Sequence, residues 1–207
     1  MGRNIGPTNK IARRFGVNLG LKVNPAKVAR RLAQPPGVHG PKQRRRSPSS
    51  YGKQLIEKQK VKHIYGIRER QLRRYVEEAT RRKGDSGVYL QQILERRLDN
   101  VIYRLGFAIT RAQARQLVSH GLFRVGEKKL SIPSYLAKVG DVIALKENKA
   151  NKKIFIGLAE RLAKLNLPSW LTVDPETRAG KVVSQPQDKD FDKIFDIKFI
   201  IEYYSSR

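Results

Sequence analysis

The sequence predicts an α+β fold: a helical N-terminal part preceded by an extended basic arm, then a small domain of two helices followed by an antiparallel sheet. Three observations carry that expectation. Between Tyr51 and Ser119, apolar residues recur at the 3.6-residue period of helices. After Gly121 the period falls to two, as in half-buried strands. Charge is one-sided as well: of 207 residues, 44 are Lys or Arg and 18 are Asp or Glu, a formal +26. Residues 1–84 carry net +19, residues 85–169 net +8 and residues 170–207 net −1. The boundaries expected from this pattern are 1–50 for the arm, 51–93 for the helical part and 94–207 for the remainder.

The arm is read as extended or loosely turned chain. Gly2, Gly6-Pro7, Gly16, Gly20, Asn24-Pro25, Pro35-Pro36-Gly37, Gly40-Pro41 and Ser47-Pro48 punctuate it too often for one packed element. Only residues 26–33 suggest a short helix. Residues 1–56 hold 13 Lys or Arg and no acid, the first carboxylate being Glu57. The run Lys42-Gln43-Arg44-Arg45-Arg46 is its densest cluster, suited to phosphates or to a solvated tract.

From Tyr51 a helix runs to Gly66. A second, over 68–83, places Leu72, Tyr75, Val76 and Ala79 on one stripe and Arg70, Arg73, Arg74, Arg81 and Arg82 on its other faces. Glu77 and Glu78 can pair with those arginines, so an ordinary salt-bridged surface helix stays open. A third helix is expected over 88–105, with Leu90, Ile93, Leu94, Leu98, Val101, Ile102 and Leu105 inward. Arg96, Arg97, Asn100 and Arg104 are expected on its remaining surface. Thr110 and Gln113 then match a capping box. The short helix that follows points Ala114, Leu117 and Val118 inward and ends at His120-Gly121. Arg111, Arg115 and Ser119 fall at i, i+4 and i+8, on one face.

Short strands are expected at 122–125, 129–132, 142–145, 170–173 and 181–183, with an amphipathic helix over 154–165. The alternation of Ile197, Phe199, Ile201 and Tyr203 reads as a terminal strand returning to the sheet or to the domain junction. Asp188, Asp190 and Asp192 read as a solvated turn, since the glycine and terminal glutamate of a calcium loop are missing.

Composition narrows the function. A net charge of roughly 2–8 suffices for solubility, and a large excess self-repels unless a polyanion relieves it. Nucleic acid is the expected partner. Absence of cysteine excludes disulfides, thiolate zinc sites and thiol catalysis. The longest apolar run, 154–159, spans six residues, so no bilayer-spanning segment is expected. The N-terminus lacks the apolar stretch of a secretory signal. Gly6-Pro7 and Asn24-Pro25 interrupt the helix a transit peptide would need. His39, His63 and His120 are too scattered for ligands or bases. Tyr51 and Tyr65 could stack on bases or sit in the core.

The segments Arg97-Leu98-Asp99-Asn100-Val101-Ile102-Tyr103-Arg104-Leu105-Gly106-Phe107 and Thr110-Arg111-Ala112-Gln113-Ala114-Arg115-Gln116-Leu117-Val118-Ser119-His120 resemble the small RNA-binding domain named after the fourth small-subunit ribosomal protein. The remainder is similar to that S-four family of ribosomal proteins, bacterial type. The matching pieces are Arg3 with Gly6-Pro7, Arg13-Arg14, Pro36-Gly37-Val38-His39-Gly40 and Tyr51-Gly52-Lys53-Gln54-Leu55-Ile56-Glu57-Lys58-Gln59-Lys60. Tyr65-Gly66, Ile132-Pro133-Ser134-Tyr135, Gly140-Asp141, Pro168-Ser169-Trp170-Leu171 and Glu202-Tyr203-Tyr204-Ser205 also fit. The likeness covers nearly the whole chain. It departs at the missing zinc-binding cysteines, at Val125-Gly126-Glu127 where the family has Val-Asn-Gly, and in the detail of 41–47.

The resemblance implies a non-enzymatic structural constituent of the small ribosomal subunit. Such proteins bind the 5′ domain of 16S-type rRNA as primary binders, nucleate assembly, and affect decoding accuracy and the path by which mRNA enters. It implies rRNA contacts at Arg3, Arg13, Arg14, Tyr51, Lys53, Gln54, Lys58, Lys60, Lys62, Arg70, Arg73, Arg74, Arg97, Asn100, Arg104, Thr110, Arg111, Arg115, Gln116, Ser119 and His120. Lys42, Arg44, Arg45 and Arg46 correspond to the stretch near the incoming mRNA. Implied neighbours are ribosomal proteins S-five and S-three, with no cofactor, metal, membrane or self-association. The expected location is the ribosome in the cytoplasm, an organellar ribosome being left open. Three rival readings fit the sequence less well. Enzymes such as RNA pseudouridine synthases and some tRNA synthetases carry the same small domain, but need a catalytic domain for which too little chain remains. A stand-alone RNA-binding rescue factor leaves the N-terminal likeness unexplained, and a DNA-compacting protein accounts for the charge alone.

Overall fold

The structure, a computed structural model, describes residues 6–22, 24–42, 47–146, 152–163 and 165–205. Two compact units emerge: Met1–Leu90 with Asp192–Arg207, and Gln91–Phe191.

In the first unit the arm is mostly turned chain, with a short helix near the expected 26–33 and a further helix, over 8–15, that the extended reading did not include. Helix α1 (Thr8–Phe15) begins after Pro7 and ends at Gly16, whose φ of 70° lets its N–H return to the Ala12 carbonyl at 2.8 Å. Asn24 caps α2 (Pro25–Ala29), its side-chain oxygen accepting from the Lys27 N–H at 3.2 Å. Ala12, Leu19 and Val28 are buried. Pro7, Gly16 and Asn24-Pro25 therefore mark the ends of two short helices, and one apolar residue from each piece closes a small core.

Helix α3 (Ser50–Ile64) starts at Ser49, whose hydroxyl accepts from the Gly52 N–H at 3.2 Å. Helix α4 (Glu69–Arg81) buries Leu72, Tyr75, Val76 and Ala79, the stripe expected from the sequence. The helix expected over 88–105 is instead two, α5 (Ser86–Glu95) and α6 (Leu98–Arg104). Arg97 between them is extended, at φ −60° and ψ 134°, and bridges to Leu136. Ala137 N–H donates to the Arg96 carbonyl, the Arg96 guanidinium donates to the Ala137 carbonyl and Leu98 N–H donates to the Tyr135 carbonyl, each at 2.8 Å. Pairing with 135–137 outcompetes one turn of helix while the apolar stripe stays buried.

The last element, numbered α9 (Ile197–Ser205) in chain order, is a helix, which overturns the expected terminal strand. Its run of Ile, Phe and Tyr satisfies periods of both two and 3.6, and packing chose the latter. Ile200 and Tyr203 are buried, and the helix lies along α3. Tyr51 and Tyr203 stack at 5.9 Å, and Gln54 donates to Glu202 at 3.2 Å.

In the second unit, α6 and α7 (Arg111–Ser119) precede a five-stranded antiparallel sheet ordered β2-β1-β3-β5-β4. The strands are β1 (Phe123–Val125), β2 (Lys128–Lys129), β3 (Val142–Leu145), β4 (Leu171–Asp174) and β5 (Ala179–Val182). Phe123 faces Leu145 and Ile143 faces Gly180, so β3 is central. Gly180 has a steric reason: a Cβ there would sit 2.6 Å from both terminal carbons of Leu105. Leu98, Ile102, Leu105, Phe107, Phe123 and Trp170 lie at the heart of the core.

The expected helix over 154–165 is a 3-10 turn, Lys153–Phe155, and a short helix, α8 (Leu158–Ala163). Gly157 at φ 67° separates them, so Phe155 rather than Ile154 enters the core, Ile154 being 42% exposed. Asp190 is more than a solvated turn residue. Its carboxylate accepts from the Ser169 N–H at 3.1 Å, the Ser169 hydroxyl at 3.0 Å and the Gln187 N–H at 3.0 Å. Among the described residues no helix is long and apolar enough to cross a membrane.

Candidate nucleic-acid interface

Two buried carboxylates organise the α6–α7 end of the second unit. Glu95 is 1% exposed and takes the Arg104 guanidinium along one edge, through Nε and Nη2 at 2.9 Å each. The same carboxylate accepts from the Asn100 amide at 2.8 Å. Asn100, 1% exposed, passes the connection on: its Oδ1 accepts from Arg111 Nε at 2.8 Å. Asp99, 3% exposed, holds Arg97 through Nε at 3.1 Å and Nη2 at 2.7 Å, and Arg115 through Nη1 at 3.5 Å. Arg111 also lies over the Tyr103 ring, 4.6 Å from its centre.

The cluster thus joins four arginines to two carboxylates and keeps an excess of positive charge. Buried carboxylates are tolerable only when paired and hydrogen-bonded, and both are. The expected helix face survives in altered form. Ser119 is exposed, its hydroxyl donating to the Arg115 carbonyl at 2.9 Å, while Arg111 and Arg115 are half-buried and tied inward. Thr110 accepts from the Gln113 N–H at 3.2 Å, but the Gln113 side chain reaches Ile109 N–H rather than Thr110, so the capping box is displaced by one residue. Gln116 and His120 are exposed on α7. Arg97 and Asn100 are the correction here: expected on the surface, each is 1% exposed. Breaking the helix at Arg97 turned both side chains toward the acids.

In the first unit the basic residues divide. Lys53, Arg14, Arg70, Arg73 and Arg74 are exposed. Lys58 does not fit the expected surface placement: it is 4% exposed, bonded to Glu69 at 2.8 Å and 4.2 Å from the Tyr203 ring centre. Lys62 pairs with Glu69 at 2.8 Å and Lys60 with Glu57 at 2.6 Å. Tyr204 donates to Glu69 at 2.6 Å. Burial alone would raise the Glu69 carboxyl, but the donors Lys58, Lys62 and Tyr204 bring it down to about 2. Arg13 donates to the Gln34 and Pro35 carbonyls at 3.0 and 2.9 Å. Tyr65 is buried edge-on to Phe195, which settles it as a core residue, whereas Tyr51 is half exposed. Burial first, then Lys62 and Arg14, lower the His63 pKa, so its ring is neutral near pH 7. Lys42 is exposed; Arg3, Arg44, Arg45 and Arg46 lie outside the described residues.

Sequence reasoning missed Glu95, Asp99 and Tyr103 as site residues. Acids in a basic domain read as helix-surface partners, and nothing local signals that the helix breaks between them. It also passed over Arg124, Lys128 and Lys129, exposed around the Gly126 turn, where Gly126 adopts φ 56° and Glu127 is exposed. Among the described residues no group of three or more His, Cys, Asp or Glu is placed to hold a metal ion.

Residues 3–95 match the family described as Ribosomal protein S4/S9 N-terminal domain, and residues 96–143 match the S4 domain. The chain is 47% identical to the small ribosomal subunit protein uS4 of Roseiflexus castenholzii over 207 residues, covering 99% of this chain and 100% of the relative. The uS4 proteins of Herpetosiphon aurantiacus and Caldicellulosiruptor saccharolyticus are each 48% identical, with the same coverage. Likeness of that degree along both full lengths, over a fold whose basic face is built into its S4 domain, establishes that the chain belongs to the uS4 family of small ribosomal subunit proteins.

Proposed function

We propose that this chain is a structural, non-enzymatic constituent of the small subunit of a cytoplasmic ribosome and binds its rRNA directly, as a primary binder of the 5′ domain that nucleates assembly. The observation that carries the reading is the guanidinium cluster of Arg104, Arg111 and Arg115, seated on buried Glu95 and Asp99 and bordered by exposed Gln116, Ser119 and His120. Folded RNA is recognised mostly by shape, phosphate and 2′-hydroxyl contacts, which fixed arginine forks suit. Lys53, Arg14, Arg70, Arg73 and Arg74 extend the basic surface in the first unit. Lys42 with Arg44, Arg45 and Arg46 meets incoming mRNA, and contacts with ribosomal proteins S-five and S-three couple the chain to decoding accuracy. Lys58, Lys62, Arg97 and Asn100 serve the same reading from inside, by holding helices and neighbouring cations in place.

The test is affinity for the rRNA 5′-domain fragment against scrambled RNA of equal length and duplex DNA, across a salt series. Preference for the fragment by orders of magnitude at physiological salt is expected; equal binding of all three, collapsing together as salt rises, refutes it. Exchanging Arg111 and Arg115 together for Gln lowers affinity for the fragment and shallows the salt slope by about two.

A further inference from the structure

We propose that Glu95 and Asp99, acids inside a cationic site, are positioning residues that make rRNA binding selective at the expense of raw charge. The inference rests on the direct rRNA-binding reading above and names the groups that give it discrimination. An acid placed among RNA-facing arginines opposes binding by charge alone, so its presence calls for another physical role. The geometry supplies one. Glu95 holds Arg104 by two N–H groups at 2.9 Å and reaches Arg111 through Asn100 in two bonds of 2.8 Å. Asp99 holds Arg97 at 2.7 Å and Arg115 at 3.5 Å.

Each carboxylate therefore has one buried partner and one nearer the surface. Asn100 and Arg97 are 1% exposed, whereas the Arg104 and Arg115 side chains are 18% and 20% exposed. A long cationic side chain on a solvated helix samples many rotamers and loses that freedom on binding. A fork gripped along one edge has already lost it, and its plane can only meet phosphates arranged to match. Such a site gains on one RNA shape and gains nothing on shapes that require the forks to turn. By contrast, the Glu77 carboxylate on α4 meets Arg73 with both side chains at least half exposed.

The proposal makes an unusual demand: removing a negative charge must weaken specific binding while strengthening generic binding. The experiment uses the full chain as Glu95→Gln, which keeps size and an acceptor for Asn100 but loses the grip on Arg104. Affinities for the 5′-domain fragment and for scrambled RNA are read across a salt series, beside thermal unfolding. Expected are about tenfold weaker binding of the fragment, equal or tighter binding of scrambled RNA, and a steeper salt slope for the latter. Glu95→Asp, one methylene shorter with its charge kept, should recover part of the discrimination.

A variant whose affinities for both RNAs stay within twofold of the unaltered chain overturns the proposal, and so does loss of both affinities in parallel. An unaltered chain that fails to prefer the fragment overturns the rRNA reading itself, and the positioning role falls with it. Should the substitution unfold the domain, a measurement on the unaltered chain decides instead. The Arg104 and Arg111 Nε–H protons, without RNA, should exchange with water far more slowly than that of Arg73; equal rates refute positioning.

Discussion

Helices α4 and α7 both carry arginines at helical spacing, and the two regions use them in opposite ways. On α4, Arg73 meets Glu77 at 3.1 Å and Arg82 meets Glu78 at 3.3 Å, one turn apart, with all four side chains at least 40% exposed. Such pairs each contribute roughly 0.3–0.5 kcal/mol and weaken with salt. On α7, Arg115 reaches across to buried Asp99, and Arg111 donates to the buried Asn100 amide oxygen, whose own amide is held by buried Glu95. Identical residue types thus give a solvated, adaptable surface in one unit and a held constellation in the other. What separates them is whether the acid has a second partner beneath it, which a one-dimensional pattern does not display.

The sharpest way to break the contrast is Asp99→Ala. It leaves Arg97, 1% exposed, without its paired carboxylate, and unpaired buried charges cost about 3–5 kcal/mol. Urea unfolding should show that loss, with a midpoint close to that of the unaltered chain counting against a buried pair. A middle case is Tyr204→Phe, which deletes the 2.6 Å donor to Glu69. Because Glu69 is 44% exposed, about 1 kcal/mol is expected, measured the same way.

Acid titration sharpens the comparison further. Glu69 is held at about 2, below its ordinary 4.5, so its contribution is fully present above pH 4.5. As pH falls from 4.5 through 2 that contribution is lost, and α3, α4 and α9 should loosen together. Unfolding midpoints across that window should fall less steeply in Glu69→Gln than in the unaltered chain; parallel curves would contradict the assignment. The smallest effect belongs to Arg73→Gln, within about 0.5 kcal/mol at low salt and vanishing at high salt. A larger loss would mean that α4 is anchored like α7.

Much of this was legible from residues alone. The stripe Leu72, Tyr75, Val76 and Ala79, the strands around Val142–Leu145, and the Thr110 cap all follow from local rules and are all present. Each depends on neighbours within a few positions. The errors share the opposite character. The break at Arg97 depends on pairing with Leu136, nearly forty residues away, and the terminal helix depends on the surface of α3. In the arm, Gly16 and Asn24 were seen as interruptions because their role as caps needs Ala12, Leu19 and Val28 to meet. For the site, the basic residues were found by type and spacing, but their accessibility was not.

By itself the sequence determined the class of partner, since a formal +26 concentrated toward one end demands a polyanion, and the kind of fold, since periods of 3.6 and two are local. Tertiary structure alone decided which cations face outward. Lys58 and Arg97 went inward because Glu69 and Asp99 wait there to neutralise them, while Lys53 and Arg74, with no such acid among the described residues, stayed in water. Burying a charge is permitted only at a matching charge, and that match is a property of contacts between distant segments.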